Sequence, residues 1–346
     1  MMHAAIIGYG GLGKLHAQNL GAIDGVMLAA VCDEQFTAHD DTYAHFGNGR
    51  PRADGFRVYA DTASLHANEE LDLIICALPT HLHAKYTIEA LAHGCHVFCE
   101  KPFALTLAEC EAVMRAAERS GRTVMIGHCM RFWPGWRELK DMVDAGRFGA
   151  LRSISTHRRG PSPREGSWFF DRSKSGGVVM DLLIHDIDFL NFLIGEPDDI
   201  IALGTVDDAN RIETVSSHFS YRGIAASLEA GWMGSVPFSM GYYAVFERAV
   251  VKFENGIMYR SDAASKEFMA APLSEESGHG AELVYFIECI RNEEQTERCT
   301  LQDSYTTMRT ALAVQHGVAR TEIRMAPELS AGRMPEMRLA SDFISE

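Results

Sequence analysis

The stretch AAIIGYGGLG at residues 4–13 places a short apolar run directly before a glycine-rich turn. The run predicts a buried β-strand, and the turn has the spacing Gly-x-Gly-x-x-Gly. In that spacing Gly8 permits a tight turn, Gly10 lets the backbone approach a pyrophosphate, and Gly13 lets the next helix pack on the strand. The sequence therefore predicts a dinucleotide site, although an ordinary glycine turn would share the pattern. The phosphates would lie at the helix N-terminus, near Gly8, Gly10, Gly11, Leu12 and Gly13.

An acidic residue follows this turn at the distance that a dinucleotide site requires. Asp33 lies twenty residues after Gly13, at the end of the apolar run MLAAVCD at 27–33. A carboxylate in that position accepts hydrogen bonds from the ribose hydroxyls of adenosine. Asp33 and Glu34 would repel a 2′-phosphate, and no arginine follows closely in the sequence. The sequence therefore predicts NAD in preference to NADP.

Apolar runs and helical stretches alternate from residue 3 to about residue 126. This alternation predicts an α/β fold with a doubly wound parallel sheet of the Rossmann type. After residue 127, short strand-like segments surround one long apolar helix at 178–194, which predicts a second, antiparallel or mixed sheet. Two helices follow, near 280–292 and 301–321. We expect a dinucleotide-binding domain over 1–127 and a second domain over 128–346, with no structure assigned from about 327.

The overall composition excludes several classes of protein. The 346 residues are 47% hydrophobic and carry a net charge of −15, which disfavours nucleic acid and anionic membranes as partners. The sequence has no apolar run of the roughly 18 residues that a membrane span needs. Its N-terminus resembles a first strand rather than a signal peptide. The eight cysteines lie mostly within apolar runs and form no CxxC pair, which predicts reduced core residues in the cytoplasm.

Two strand ends carry candidate site residues. Glu100-Lys101-Pro102 ends the run HVFCE at 96–100. Ligands of open α/β sheets bind beyond the carboxyl ends of the strands, and Pro102 restricts how the chain leaves the strand. We therefore expect Lys101 to project into the cofactor crevice, although a surface lysine is the alternative. Pro79-Thr80 and His83 follow another strand end, where they could line the same pocket or simply begin a helix.

The helix at 178–194 is apolar almost all round, which indicates burial. Asp181, His185 and Asp188 nevertheless recur at i, i+4 and i+7 and so share one face. Buried charges need partners, so this stripe must face a cleft, a partner or solvent. A solvated stripe, or a histidine satisfied by a neighbouring carboxylate, is the alternative. Glycines 176 and 177, just before the helix, allow a ligand to approach the backbone and favour a site.

Three further clusters contain residue types that bind metals or substrates. His93, Cys95, His96 and Cys99 include metal-ligating residue types, but His96 would point away from the two cysteines, which share the other face of a strand. We therefore expect no metal site. The arginine-rich loop at 158–177 could attract an anionic substrate or be solvated. Trp168, with Phe169 and Phe170, could stack on a sugar ring or pack in the core.

The order of these motifs resembles the Gfo/Idh/MocA oxidoreductases. The resemblance spans residues 4 to about 320 and rests on GYGGLG, Asp33, Pro79-Thr80, Glu100-Lys101-Pro102, GHCMRFWP at 127–134 and SGGVVMDLLIHDID at 175–188. It implies an N-terminal Rossmann domain and a C-terminal domain with a large open, mostly antiparallel sheet. It also implies a homodimer or homotetramer formed through that sheet. The family's catalytic residues then correspond to Lys101, Asp181 and His185.

The resemblance implies an NAD(P)-dependent oxidoreductase acting on a secondary alcohol or carbonyl of a sugar, inositol or related polyol. His185 would be the general base, Lys101 would bind the reacting oxygen, and Asp181 would orient His185 or bind a neighbouring hydroxyl. Arg131 and Trp168 are further candidates for substrate contact, and the cofactor set would include Pro79, Thr80, His83, Glu100 and Lys101. Two alternatives stay open: a dinucleotide-sensing protein without catalysis, and a reductase of a small aldehyde, ketone or imine.

Overall fold

The first sheet of the computed structural model contains six parallel strands in the order β3-β2-β1-β4-β5-β6. The structure describes residues 1–35, 56–206, 212–262, 264 and 267–320. Strands β4 and β5 are buried along almost their whole length, because helices cover both faces of a parallel sheet. The strands are β1 (Met2–Ile7), β2 (Val26–Cys32), β3 (Arg57–Tyr59), β4 (Leu73–Cys76), β5 (His96–Glu100) and β6 (Val124–Gly127).

Within the described ranges four helices alternate with these strands, and local capping explains where some of them begin. Helix α4 follows a capping box in which Thr106 and Glu109 bond each other's backbone N–H groups, and it ends at Gly121 with φ +63°. Helix α2 is capped by the Asp61 carboxylate. The helices are α1 (Gly11–Leu20), α2 (Thr62–Asn68), α3 (His83–Ala92) and α4 (Leu107–Ser120).

The second sheet has eight strands in the order β14-β13-β12-β11-β7-β10-β9-β8. All neighbouring pairs are antiparallel except β7 and β10, which are parallel. The predicted fold class, a Rossmann-type parallel sheet followed by a mostly antiparallel one, is confirmed. The strands are β7 (Leu151–Gly160), β8 (Asp199–Val206), β9 (Ile212–Tyr221), β10 (Ile224–Trp232), β11 (Ser239–Phe246), β12 (Ala249–Glu254), β13 (Ile257–Asp262) and β14 (Met269–Ala271).

The remaining helices join the two sheets. The predicted long apolar helix is present, but its first part, Val179–Leu183, is a wide π-helical turn before α7 (Ile184–Ile194). Two C-terminal helices return to the first sheet, where Phe286 packs on Phe98 and the Cys299 thiol donates to the Ile126 carbonyl. The helices are α5 (Trp136–Asp144), α6 (Arg172–Ser175), α8 (Gly278–Asn292) and α9 (Leu301–Arg320).

No helix in the described ranges is both long and apolar enough to cross a membrane. The eight cysteines all fall within those ranges, and all are buried and unpaired. The predicted domain boundary at residue 127 stays a prediction, and the tail predicted to lack structure lies outside the described residues.

Candidate active site

The glycine turn between β1 and α1 has the geometry that its sequence predicts. Gly8 has φ +92°, and a Cβ there would lie 2.6 Å from the Ala77 carbonyl oxygen. A Cβ at Gly13 would lie 2.1 Å from the Gly8 carbonyl oxygen, so only glycine fits either position. At Gly10, no described atom lies within 4 Å of where a Cβ would be. The turn is thus tightly packed on its inner side and open at Gly10.

The N-terminus of α1 fits a phosphate group. Helix α1 begins at Gly11, and among the described residues no side chain caps it and no acidic group occupies its first turn. The N–H groups of Gly11, Leu12 and Gly13 therefore remain available at the positive end of the helix dipole. A bound dinucleotide would place its pyrophosphate against these donors.

Asp33 connects the end of β2 to this turn. Its carboxylate accepts a hydrogen bond from the Tyr9 N–H at 2.6 Å and another from the Gln35 N–H at 2.8 Å. These bonds orient the carboxylate beside the glycine turn, where ribose hydroxyls would lie. Residues 36–55, which follow this acid, lie outside the described residues.

Lys101, directly after β5, and Asp181, in the wide turn Val179–Leu183 before α7, meet directly. The Lys101 Nζ donates to the Asp181 main-chain oxygen at 2.8 Å and lies 3.3 Å from its Oδ1. The side chains are 13% and 19% exposed, so the pair is largely but not fully shielded from water. The wide turn at Val179–Leu183 presents both Asp181 oxygens to the amine. Wide turns of this kind are frequent at functional sites.

His185 lies in the first turn of α7, four residues after Asp181, where the charge of Lys101 acts on it. Its Nδ1 is 4.0 Å from the Cys129 Sγ. Burial, together with the positive charges of Lys101 and Arg158, holds the pKa of His185 well below its ordinary value. The imidazole is therefore neutral at neutral pH and can accept a proton.

Aromatic side chains, Trp232 and Phe170 among them, lie beside the Asp181 carboxylate. The Trp232 indole N–H donates to Asp181 Oδ2 at 3.2 Å, and the ring packs edge-on against Phe170. Phe169, Phe170, Trp232 and Gly177 line a small concavity. Trp168, one of the predicted substrate contacts, stacks on Phe169 with ring centroids 4.1 Å apart. Sequence analysis missed Trp232, because nothing local links the end of β10 to Asp181.

Arg131, which the sequence predicts to contact substrate, lies in the interior of the protein. Arg131 is 1% exposed, and its guanidinium makes a two-pronged contact with Asp188 at 2.9 and 2.7 Å. It also donates to the Asp303 carboxylate at 3.1 Å. Asp188 is therefore not part of a stripe facing the cleft. Burial alone would raise the pKa of Asp188, but Arg131, His128 and the Thr307 hydroxyl together keep that pKa below its usual value. This arrangement is an internal ion pair.

His83 and Thr80, which the sequence predicts to bind the cofactor, are both buried. Both ring nitrogens of His83 contact carbonyl oxygens, Pro102 O and Leu78 O, each at 2.7 Å. His83 is 1% exposed, so it joins two strand ends and has no ring nitrogen left for a cofactor. Thr80 is also buried, whereas Pro79, just before it, begins the short turn that leads to His83.

Glu100 belongs to a buried cluster that sequence analysis did not assemble. Its carboxylate lies 2.7 Å from the His16 Nε2 and accepts from the Lys101 N–H at 3.2 Å, so it too faces inward. Within the described residues, ligand-type atoms of Glu100, His279 and Glu282 lie within 4.8 Å of one another. Burial and the neighbouring Glu100 charge raise the pKa of Glu282 well above its ordinary value. Burial thus favours the protonated form of the Glu282 carboxyl group.

The cysteine–histidine segment at 93–99 makes other contacts. The Cys95 thiol donates to the Leu71 carbonyl, and the His96 ring accepts from the Thr123 N–H at 3.0 Å. The His93 ring stacks on the His66 ring with centroids 3.9 Å apart. These side chains therefore have partners within the fold.

The Rossmann-type sheet with its open glycine turn, the mostly antiparallel second sheet, and the contact of Lys101 with Asp181 in the turn before α7 define a dinucleotide-binding oxidoreductase fold. Residues 2–128 match a family model described as an oxidoreductase family with an NAD-binding Rossmann fold. Residues 136–259 match the GFO/IDH/MocA C-terminal domain. The chain belongs to the Gfo/Idh/MocA oxidoreductase family.

Individual relatives differ in what they act on. The chain is 31% identical over 205 residues to 2,7-anhydro-N-acetylneuraminate hydratase of Mediterraneibacter gnavus, covering 58% of this chain and 51% of that protein. It is 27% identical over 206 residues to myo-inositol 2-dehydrogenase of Thermotoga maritima, covering 59% of each. The chain thus spans little more than half the length of these curated relatives.

Solved structures match over a larger share of the chain. UDP-N-acetylglucosamine 3-dehydrogenase of Acidithiobacillus ferrooxidans superposes with a TM-score of 0.75 at 26% identity, covering 92% of this chain and 97% of that one. Levoglucosan dehydrogenase, solved with NADH and L-sorbose, superposes with a TM-score of 0.79 at 19% identity over the same shares. The second likeness, at this low identity, demonstrates the shared fold alone.

Proposed function

We propose that this protein is an NAD-dependent dehydrogenase that oxidises a secondary alcohol of a sugar, inositol or related polyol. The observation that carries the proposal is the contact of Lys101 with Asp181 beside the neutral imidazole of His185. A positive amine and a neutral base at the carboxyl end of β5 suit removal of a hydroxyl proton. The sugar and inositol dehydrogenases among the relatives support the same substrate class.

Each of the three residues has a distinct role in this proposal. His185 accepts the hydroxyl proton, and a positioned base of this kind contributes about 10²–10⁴-fold. Lys101 donates a hydrogen bond to the reacting oxygen and stabilises the negative charge that develops on it. Asp181 holds the Lys101 ammonium in place through two oxygen atoms. A bound nicotinamide supplies the hydride acceptor.

The cofactor preference is proposed from Asp33. Its carboxylate lies beside the glycine turn and would bind ribose hydroxyls while repelling a 2′-phosphate. We expect Asp33→Asn, which retains an oxygen for the Tyr9 N–H, to lower the ratio of kcat/KM with NAD to that with NADP at least about tenfold. Initial rates with both cofactors measure this ratio.

Asp72→Asn is the matched control for the cofactor experiment. Asp72 also accepts a backbone hydrogen bond, from the His3 N–H at 2.8 Å, but it lies just before β4, at the opposite end of the sheet. Its replacement should leave the cofactor ratio within about twofold of wild type, because no 2′-phosphate reaches that end. A wild-type enzyme that prefers NADP would contradict the assignment of Asp33.

A substrate panel tests the proposed reaction itself. Purified protein is mixed with inositols, aldoses and polyols in the presence of NAD or NADP, and absorbance of the reduced nicotinamide is followed. We expect at least one secondary alcohol to produce a saturable rise. Cofactor binding without a rise for any alcohol, and without oxidation of reduced cofactor by matching ketones, would instead favour a dinucleotide sensor. Oxidation of reduced cofactor alone would favour the reductase alternative.

Assembly and location are also proposed rather than observed. The second sheet exposes large apolar side chains, including Ile201 at 65% and Tyr243 at 42%, which supports a homodimer or homotetramer through this sheet. Eight unpaired cysteines support a reducing compartment, the cytoplasm. Small-molecule substrates, rather than nucleic acid or membrane, suit a chain with a net charge of −15.

A further inference from the structure

The Asp181 carboxylate is held from two directions by groups of different chemistry. Lys101 Nζ lies 3.3 Å from Oδ1, and the indole N–H of Trp232 donates to Oδ2 at 3.2 Å. An indole nitrogen is only a donor, and it carries its proton at every physiological pH. The Trp232 contact therefore engages one carboxylate oxygen permanently and leaves the other facing the lysine.

Trp232 is itself firmly placed by the second sheet. It is the last residue of β10, where it pairs with Gly160 of the parallel strand β7. Its ring is 6% exposed and packs edge-on against Phe170 at 5.8 Å and Phe169 at 6.5 Å between centroids. The sheet therefore fixes the position from which the indole N–H reaches the wide turn that carries Asp181.

Loss of the indole donor would change how Asp181 meets Lys101. A carboxylate with a free second oxygen can rotate about its side-chain torsions and take the ammonium with both oxygens. The amine would then be turned toward Asp181 rather than toward a substrate hydroxyl. Misplacement of a catalytic group by about 1 Å can cost on the order of 100-fold in rate.

We propose that Trp232 is a positioning residue that holds one oxygen of Asp181, so that the other presents Lys101 to the reacting oxygen of the substrate. The catalytic part of this inference rests on the proposed dehydrogenase function. The hydrogen bond between Trp232 and Asp181 does not, and it can be tested separately.

The kinetic test uses Trp232→Phe, which removes the N–H and keeps most of the aromatic packing. We expect kcat to fall about tenfold or more with KM within about threefold, because the lost interaction acts on the catalytic lysine. In an Asp181→Ala background the same substitution should change kcat less than about twofold, because the group it acts through is gone. A full tenfold loss in both backgrounds, or none in either, would overturn the proposal.

Trp136→Phe is the matched control. Trp136 is fully buried, and its indole nitrogen has no hydrogen-bond partner in the part of the chain that the structure describes. Removing that N–H should leave kcat within about twofold of wild type. The comparison separates the loss of one hydrogen bond from the general effect of replacing a core tryptophan with phenylalanine.

An activity-independent measurement separates the two proposals. The chain has four tryptophans, so a ¹⁵N-tryptophan sample yields four indole resonances, and Trp232→Phe identifies one of them. Asp181→Asn should shift that resonance and leave the other three in place, because it removes the charge that the indole N–H faces. An unmoved resonance overturns the positioning role. If the resonance shifts but the protein oxidises no alcohol, the hydrogen bond between Trp232 and Asp181 is confirmed and the dehydrogenase function is rejected.

Discussion

Lys101→Ala is expected to lower kcat at least about a hundredfold while NAD still binds. The ammonium contacts Asp181 beside His185 and, in the proposed reaction, donates to the oxygen on which negative charge develops. Cofactor binding should survive because the glycine turn and Asp33 lie on other strand ends. Steady-state rates and tryptophan-fluorescence titration with NADH measure the two effects.

His185→Ala should cause a loss of similar size, since no proton acceptor would remain at that position. In the wild type, burial and the charges of Lys101 and Arg158 depress the pKa of His185 below 6.5. The neutral base therefore persists into acid, and kcat/KM for alcohol oxidation should keep its plateau below pH 6.5 before it falls.

Lys85→Ala is the matched control for the lysine substitution. Lys85 is exposed on α3, where its ammonium lies over the Tyr86 ring. Its removal should leave kcat within about twofold. Near-wild-type turnover in Lys101→Ala or His185→Ala would refute the assignment of the corresponding residue.

Arg131→Met is expected to destabilise the protein by about 3–5 kcal/mol, because it leaves the buried Asp188 carboxylate without its counter-ion. Both partners are 1% exposed, and the arginine also binds the Asp303 carboxylate and the Arg298 main-chain oxygen. Among the described residues, Asp188 would retain the Thr307 hydroxyl and the neighbouring His128, whose own pKa burial lowers to about 4. Urea unfolding followed by circular dichroism measures the change.

The exposed pair of Arg309 and Glu196 supplies the control for this effect. Arg309→Met should cost less than about 1 kcal/mol, because solvent screens a surface ion pair. The double variant Arg131→Met, Asp188→Leu should recover part of the loss, since no charge is then buried alone. An Arg131→Met protein with unchanged stability and a raised KM would restore the earlier expectation that Arg131 contacts substrate.

Local patterns predicted most secondary-structure elements well. The run HVFCE at 96–100 and the helical stretch at 107–120 predict β5 and α4 with the bounds that the structure has, because both signals are local. The helical stretch at 16–23 predicts the first helix, but α1 begins at Gly11, because the poor helix propensity of glycine hides a helix start within the glycine turn. The apolar run at 71–78 predicts a longer strand than β4, Leu73–Cys76, because the chain leaves the sheet before Pro79.

The candidate site was only partly predictable from spacing. Lys101 and Asp181 are in contact, and His185 follows Asp181 by one helical turn, because strand ends and a helical face have simple geometry; their catalytic roles stay a prediction. Asp188 has the same helical spacing but binds Arg131 in the interior. Helical periodicity cannot predict this contact, because Arg131 lies on a different element of the chain. His83 likewise looks like a ligand in sequence and is instead held by two carbonyl oxygens.

The sequence by itself determined the two-sheet fold class, the glycine turn with its acid, and the family, because each depends on residues close together in the chain or on motif order. Only the tertiary structure decided which charged side chains face the cleft and which form ion pairs in the interior. It also brought Trp232 from the second sheet to Asp181. The partner of a charged side chain depends on distance and burial in the folded protein. Residues as far apart in the chain as Asp181 and Trp232 come within hydrogen-bond distance only when the chain is folded.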